Sequence, residues 1–211
     1  MVSLAAVILA GGQSRRMGED KALLKLPTGQ TLLSQTTDIA LHLTSEVMVI
    51  TPWPERYESV VSPHVQLLAE EPHQNGPLGG FSQSWRKVQA DWCLLLACDM
   101  PMLKREPLAD WWDWIQQQIA TSNTYAAASL TYRQSRWEPL CGFYHRSCSE
   151  RLQHLIDTSN AAEHQSAQND HSYQLSFQSW INSLSVWVYE KLPPSILLNC
   201  NTKADWAQID P

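Results

Sequence analysis

The chain has 211 residues and a formal net charge of −6 at pH 7. Its length suits one α/β domain over residues 1–211, because single domains usually span about 50–250 residues. The acidic balance argues against a general nucleic-acid or membrane-surface binder, since either needs a net basic face to neutralise phosphates. No stretch approaches the roughly 18 consecutive apolar residues of a membrane span, and the start of the chain lacks a signal-peptide pattern, so we expect a cytoplasmic protein.

The first hundred residues alternate between short apolar runs and segments of helical spacing. Strands are predicted for residues 7–9, 47–50, 65–68 and 93–97. Helices are predicted for residues 32–43, for the segment that starts at residue 79, and for residues 108–119. Such alternation is typical of a mainly parallel sheet that helices cover on both faces, so the predicted fold class is α/β.

The pattern is weaker in the second half of the chain. Residues 157–172 hold almost no core-forming side chains and are predicted to form an extended, polar surface loop or insert. After two consecutive prolines, the apolar residues 196–198 are predicted as a last strand. Thr202 is a candidate cap for a short closing helix.

Cysteines and tryptophans are expected to pack in the core. The five cysteines form no CxxC pair, which favours free, mostly buried thiols in a reducing compartment. Cys141, His145 and Cys148 have a loosely ligand-like spacing, but no second ligand cluster accompanies them, so packing is favoured over a zinc site. The tryptophans at 111, 112 and 114 lie on one predicted helix, where packing is favoured over an exposed aromatic patch.

The most informative segment is LAGGQSRRMGEDKALL, residues 9–24. It joins a predicted strand to a predicted helix through Gly11 and Gly12, which let the backbone approach an anion closely. Arg15, Arg16 and Lys21 add positive charge within the same segment. A loop of this kind is typical of a triphosphate-binding site.

A lone carboxylate follows the predicted strand at 93–97. Asp99 stands in the sequence CDMP, at the point where the carboxyl end of that strand meets the functional edge of a parallel sheet. Mg²⁺ prefers one or two carboxylates together with water and substrate phosphates, so Asp99 is a candidate magnesium ligand. The alternative is that Asp99 only caps a helix.

Two further segments carry polar side chains at similar positions. Glu70 and Glu71 precede the turn around Gly76, and a carboxylate accepts the two adjacent N–H donors of guanine, although an ordinary acidic loop explains the same residues. In NCNT, Asn199 and Asn201 lie two residues apart, so both side chains share one face of an extended segment. One of them is a candidate amide ligand for the metal.

These segments together resemble a known family. LAGGQSRRMGEDKALL, GPLGG, CDMP, EPL and NCNT occur in the order and at the separations found in the molybdenum cofactor guanylyltransferases, the MobA family of nucleotidyltransferases. The glycine loop alone is shared by nucleotidyltransferases that act on sugars. The combination of AGG, RMGxDK, GPLGG and CDMP is more specific, and the resemblance covers residues 7–205.

The resemblance implies a Rossmann-like nucleotidyltransferase fold with a magnesium-dependent activity. Such an enzyme transfers GMP from GTP to the molybdenum–molybdopterin cofactor and releases pyrophosphate. The implied catalytic residues are Lys21, Arg16 and Asp99, and the implied metal ligands are Asp99 and Asn201. The implied nucleotide-binding residues are Leu9, Ala10, Gly11, Gly12, Lys21, Glu70, Glu71 and Asp99.

Several alternatives stay open at this point. Glu70 stands where the family usually has aspartate, and either Glu70 or Glu71 fits the base-binding role. Arg133, Arg136, Arg146 and Lys203 are candidates for contacts with the acceptor. A related enzyme that uses CTP or a sugar phosphate, and a carrier that binds nucleotide or cofactor without turnover, are the rival functions. Molybdoenzyme apoproteins or their chaperones are the implied macromolecular partners.

Overall fold

A seven-stranded sheet is the centre of the structure, a computed structural model that describes residues 2–11, 20–71, 76–122, 124–165, 176–200 and 203–206. The strands are β1 (Leu4–Leu9), β2 (Val47–Thr51), β3 (Val65–Ala69), β4 (Trp92–Ala97), β5 (Ala128–Leu130), β6 (Tyr132–Arg133), β7 (Arg136–Trp137), β8 (Cys141–His145) and β9 (Val186–Val188). The helices are α1 (Leu32–Leu43), α2 (Gly76–Trp85), α3 (Arg105–Thr121), α4 (Ser149–Gln165), α5 (Phe177–Ile181) and α6 (Lys203–Trp206). The four strands and three helices predicted in the first 120 residues are confirmed.

The strand order places the ends of β1, β2 and β4 side by side. The sheet runs β3-β2-β1-β4-β8-β5-β9, and β6 pairs with β7 in a separate ribbon. β8 is antiparallel to both β4 and β5, whereas the other neighbours in the sheet are parallel. Leu9 pairs with Ile50 on one side and with Ala97 on the other. The loops after these strands therefore share one edge of the sheet, where α/β proteins bind their ligands.

Helices cover both faces, as the sequence predicts. Alternate residues of β1 enter different core clusters, with Ala6 and Ile8 on one face and Ala5 and Val7 on the other. The first cluster includes apolar residues of α1 and α3, and the second those of α2, α4 and α5. Among the helices in the described residues, none combines the length and the apolar character that a membrane crossing requires.

The cysteines and tryptophans pack as expected. All five cysteines are buried, and none of them forms a disulfide. Cys141 belongs to the core cluster of α1 and α3, whereas Cys148 belongs to the cluster on the other face of the sheet. Trp111 and Trp112 are 0% and 8% exposed, which confirms core packing of that helix. The sheet therefore lies between the thiols of Cys141 and Cys148, the two cysteines with the ligand-like spacing.

Two predictions from the second half of the chain are wrong. The extended loop predicted for 157–172 is helical as far as Gln165, because α4 continues beyond its apolar residues with side-chain bonds such as Gln153 Nε2 to Asp157 Oδ1 at 2.7 Å. Polarity alone does not distinguish an exposed helical turn from a loop. Residues 166–172 lie outside the described residues. The strand predicted for 196–198 is a 3₁₀ turn over Pro194–Leu197, which proline starts readily because it donates no N–H.

Candidate functional site

A cavity of about 350 Å³ opens at the edge of the sheet where β1, β2 and β4 end. Six of the predicted nucleotide-binding residues line it: Leu9, Ala10, Gly11, Lys21, Glu70 and Asp99. They come from four separate parts of the sequence. The fold therefore brings together what the sequence predicts as one site.

Some predicted residues fall outside the part of the chain that the structure describes. Gly12, Arg15 and Arg16 belong to the undescribed residues 12–19, and Asn201 and Thr202 lie in the gap before α6. The roles assigned to them stay predictions.

Gly11 lies where the backbone leaves β1 and passes close to the end of β3. A Cβ atom at this position would stand 2.8 Å from Oε2 of Glu70 and 2.8 Å from Cδ of Pro52. Real Cβ atoms do not approach other atoms so closely, so only glycine fits without a shift of its neighbours. The backbone and Glu70 together form one wall of the cavity.

Gly11→Ala is expected to weaken nucleotide binding and to lower the free energy of unfolding by about 1–3 kcal/mol, the usual cost of overpacking. The added methyl group must displace Pro52 or Glu70, and Glu70 lines the cavity. Thermal unfolding and titration with GTP test this expectation. Gly29→Ala is a poor control because its φ of +84° brings its own strain, so the variant is compared with the unaltered chain.

Asp20 and Tyr57 fix the backbone around Lys21. Asp20 Oδ1 accepts a hydrogen bond from the backbone N–H of Ala22 at 3.1 Å, and Tyr57 donates its hydroxyl to Asp20 Oδ2 at 2.8 Å. Tyr57 is 1% exposed, and burial raises the pKa of its hydroxyl far above the usual range. Lys21 begins the short 3₁₀ turn that Asp20 caps. The side chain of Lys21 therefore extends from a backbone segment that Asp20 and Tyr57 hold in place.

Sequence reasoning missed Asp20 and Tyr57. For Asp20 a signal existed, since aspartate is a preferred cap and precedes the helical residues Lys21–Leu23. No sequence signal pointed to Tyr57, because it lies in an irregular segment 37 positions away from its partner Asp20.

Asp99 lines the cavity and follows the end of β4. Its Oδ1 atom is buried and has no hydrogen-bond partner among the described residues. Burial raises the pKa of this carboxyl, whereas the charges of Lys21 and Arg133 lower it. The helix-cap alternative is not supported, because α3 begins at Arg105 with Lys104 in the cap position.

The segment that contains NCNT lies directly beside Asp99. The backbone N–H of Cys200 donates to the backbone oxygen of Asp99 at 2.9 Å. Asn199 Oδ1 is also buried without a hydrogen-bond partner among the described residues. Asp99 Oδ1 and Asn199 Oδ1 are therefore two buried acceptors without hydrogen bonds among the described residues, on segments joined by the Cys200–Asp99 backbone bond. Buried acceptors of this kind require a cation or a hydrogen-bond donor.

The structure separates the roles of the two adjacent glutamates. Glu70 lines the cavity, and its backbone N–H donates to Thr51 O at 2.8 Å at the end of β2. Glu71 is exposed, and its backbone N–H donates to Gln83 Oε1 at 2.9 Å, away from the cavity lining. Glu70 is therefore the better candidate for the base-binding carboxylate.

The candidates for acceptor contacts do not all lie near the cavity. Arg133 forms an ion pair with Glu138, which lies two residues before Leu140 of the cavity lining. Arg146 follows β8 and donates its backbone N–H to Asp91 O at 2.8 Å, at the start of β4 and therefore at the opposite end of that strand from Asp99. The structure contradicts an acceptor contact for Arg146. The side chain of Lys203 lies outside the part of the chain that the structure describes.

Comparisons with known proteins found a matching family model and similar proteins. Residues 6–172 match the family model of the MobA-like NTP transferase domain. A probable molybdenum cofactor guanylyltransferase of Trichormus variabilis is 43% identical over 209 residues, covering 99% of this chain and 91% of that protein.

Solved structures show the same fold at low sequence identity. Molybdopterin-guanine dinucleotide biosynthesis protein A from Archaeoglobus fulgidus superposes with a TM-score of 0.67 at 19% identity, covering 97% of this chain and 96% of that chain. CMP:2-keto-3-deoxy-manno-octonic acid synthetase complexed with CTP gives a TM-score of 0.68 at 14% identity, covering 98% and 96%. The predicted α/β nucleotidyltransferase fold is confirmed, and the fold by itself leaves the base and the acceptor open.

Proposed function

Because the chain belongs to the MobA-like NTP transferase domain family, we propose that it transfers GMP from GTP to the molybdenum–molybdopterin cofactor and releases pyrophosphate. The observation that carries the proposal is one cavity lined by a tight glycine backbone, a lysine and a buried carboxylate. A protein that only bound nucleotide would not need to bury a carboxylate beside a triphosphate. A carrier without turnover is therefore the weaker candidate.

In the proposed GTP site, one part of the cavity binds the base and another binds the phosphates. Leu9, Ala10 and Gly11 present backbone to the nucleotide, and Glu70 accepts from the N1 and N2 hydrogens of guanine. Lys21 neutralises phosphate oxygens. Cytosine lacks that pair of adjacent donors, so Glu70 favours GTP over CTP on chemical grounds.

The residues present fit a magnesium ion. Mg²⁺ takes oxygen ligands and needs one or two carboxylates, and Asp99 Oδ1 and Asn199 Oδ1 are buried oxygen acceptors without partners among the described residues. Asn201, the ligand implied by the family resemblance, belongs to the same segment. When bound, the ion would draw charge from the α-phosphate and from the leaving pyrophosphate.

The chain's own residues position the reactants and balance their charge. A phosphate oxygen of the acceptor attacks the α-phosphorus, the bond to the β-phosphate oxygen breaks, and pyrophosphate leaves in line. The attacking oxygen is already anionic and needs no general base, so Asp99 is proposed to act as a metal ligand instead. Lys21 stabilises the negative charge that grows on the leaving group, with Arg16 as the predicted second cation.

The test is nucleotide-dependent pyrophosphate release with molybdopterin supplied, run in parallel with GTP, CTP, ATP and UTP. We expect release with GTP that depends on Mg²⁺ and on the acceptor. A preference for CTP would refute the guanylyltransferase assignment, and binding without release would favour the carrier. A cytoplasmic location and delivery of the product to molybdoenzyme apoproteins or their chaperones complete the proposal.

Glu70→Gln is expected to reduce the preference for GTP over CTP by roughly tenfold, because an amide accepts less strongly than a carboxylate and turns a donor toward the base. Glu71→Gln is the matched control, since the neighbouring side chain is exposed and outside the cavity lining. The ratio of kcat/KM for the two nucleotides is the measurement. An equal change in both variants would remove Glu70 from the base-binding role.

A further inference from the structure

The hairpin of β6 and β7, which precedes β8, carries two paired arginines. Arg133 pairs with Arg136, and Tyr132 pairs with Trp137. Directly opposed residues of an antiparallel ribbon share a face, so the arginines lie on one face and the aromatic rings on the other. The rings stack with centroids 4.0 Å apart and planes 20° from parallel. The stacked pair stiffens the ribbon that carries the arginines.

A buried carboxylate holds one of these arginines. Nε of Arg133 lies 2.7 Å from Oε2 of Glu138, whose side chain is 6% exposed, whereas that of Arg133 is 37% exposed. The backbone N–H of Glu138 also donates to Thr131 O at 3.0 Å, which closes the base of the hairpin. A contact through Nε leaves the Nη hydrogens of a guanidinium for another oxyanion. The ion pair thus orients a cation whose outer end reaches solvent.

Arg133 and Lys21 belong to segments on different sides of β4. Lys21 follows the loop after β1, whereas Arg133 precedes β8, and β1 and β8 are the two neighbours of β4 in the sheet. Lys21 lines the cavity, and Arg133 is held by Glu138. Leu140, two residues after Glu138, lines the cavity and accepts a hydrogen bond from the backbone N–H of Ala97 at 2.8 Å.

From this arrangement we infer that Arg133 binds the phosphate of the acceptor, and that Glu138 is the residue that positions it. The inference rests on the proposed function. In-line displacement requires the attacking oxygen and the leaving pyrophosphate on opposite sides of the α-phosphorus. With the GTP base at Glu70 and its phosphates at Lys21, the side of Asp99 that faces β8 is the one that the acceptor must occupy, and Arg133 supplies the positive charge there.

The test compares Arg133→Lys with Arg146→Lys in the full chain. Lysine keeps the charge beside Glu138 but loses the guanidinium fork. We expect Arg133→Lys to raise the KM for molybdopterin roughly tenfold or more, as the loss of a charge-assisted hydrogen bond does, and to leave the Kd for GTP unchanged. Arg146, whose Nη1 donates to Gln89 O at 3.2 Å at the other end of the sheet, is the matched control and should behave as the unaltered chain.

Glu138→Gln tests the positioning role separately. The variant keeps a hydrogen-bond acceptor for Nε but removes the charge, so we expect a smaller rise in the KM for molybdopterin with kcat retained. The double variant Arg133→Met/Glu138→Gln removes both charges together, so that no carboxylate is left buried without its partner. Thermal unfolding of each variant verifies folding, and the double variant carries the test if a single variant unfolds.

The outcomes separate this inference from the function on which it rests. If the unaltered chain transfers no GMP, the proposed function and the acceptor assignment both fail. If it transfers GMP and Arg133→Lys changes only the Kd for GTP, Arg133 belongs to the donor site. Equal effects of the Arg133 and Arg146 variants, or an unchanged KM for molybdopterin in the double variant, would also overturn the assignment. An unchanged KM in Glu138→Gln would refute the positioning role.

Discussion

Asp99→Asn lowers the turnover of GMP transfer by about 10²-fold or more, on the scale seen when one charge-stabilising group is removed from a transition state. Asparagine preserves the shape of the side chain and one oxygen, so the loss isolates the negative charge of Asp99. Pyrophosphate release at saturating GTP and molybdopterin measures the effect. The matched control is Asp113→Asn on the exposed face of α3, which should keep full activity.

The same substitution is expected to leave the chain as stable as before, or more stable. Burial raises the pKa of Asp99, so its ionised form is less favourable in the folded chain than in the unfolded one. An amide removes that charge and its desolvation cost. A variant that unfolds at a clearly lower Tm would contradict this account, and near-normal turnover with intact folding would remove Asp99 from the proposed chemistry.

The pH dependence of stability follows from the direction of this pKa shift. A carboxyl whose folded-state pKa is raised above the ordinary value of 3.8 holds its proton more tightly in the folded chain. Its contribution to stability is therefore fully present below that value and is lost as the pH rises through the folded-state pKa. Measured without divalent metal, the unaltered chain should lose more stability across this window than Asp99→Asn does.

The sequence was most informative where apolar runs and turn residues agree. β1, β2 and β4 are short apolar segments with nearly continuous burial, whereas β3 is a partly exposed strand at the edge of the sheet. Gly11, Glu70 and Asp99 follow β1, β3 and β4 at the same edge of the sheet. Parallel topology then places those loops together without further information. That is why Gly11, Glu70 and Asp99 were predicted as one site although they are spread over about ninety positions.

The rest depends on contacts between distant parts of the chain. β8 is central in the sheet but runs antiparallel, and nothing in CGFYH distinguishes that direction from the parallel one. The ion pair of Arg133 and Glu138 needs the two-residue turn between β6 and β7, where Gln134 and Ser135 both have positive φ without being glycine. Sequence patterns favour glycine or asparagine there, so this hairpin was not expected. The burial of Glu138 likewise depends on contacts between distant parts of the chain.

Lys21→Ala is expected to reduce turnover by about 10²-fold or more, because the lysine charge is proposed to act on the pyrophosphate as it leaves. The hydrogen bonds accepted by the Asp20 side chain hold this position independently of the lysine side chain, so the loop geometry should survive the substitution. The fall should appear in kcat more strongly than in the KM for GTP, since charge on the leaving group is greatest in the transition state.

Lys25→Ala is the matched control for that experiment. Lys25 lies four residues further along, is exposed, and contributes its backbone to a bridge with Thr31. Loss of its side chain should leave kcat unchanged, so a fall in both variants would point to a general effect of net charge on the binding of an anionic substrate. If Lys21→Ala raises only the KM for GTP, the lysine binds ground-state phosphate, and the stabilisation of the leaving group must come from the predicted cation at Arg16 and the proposed metal at Asp99.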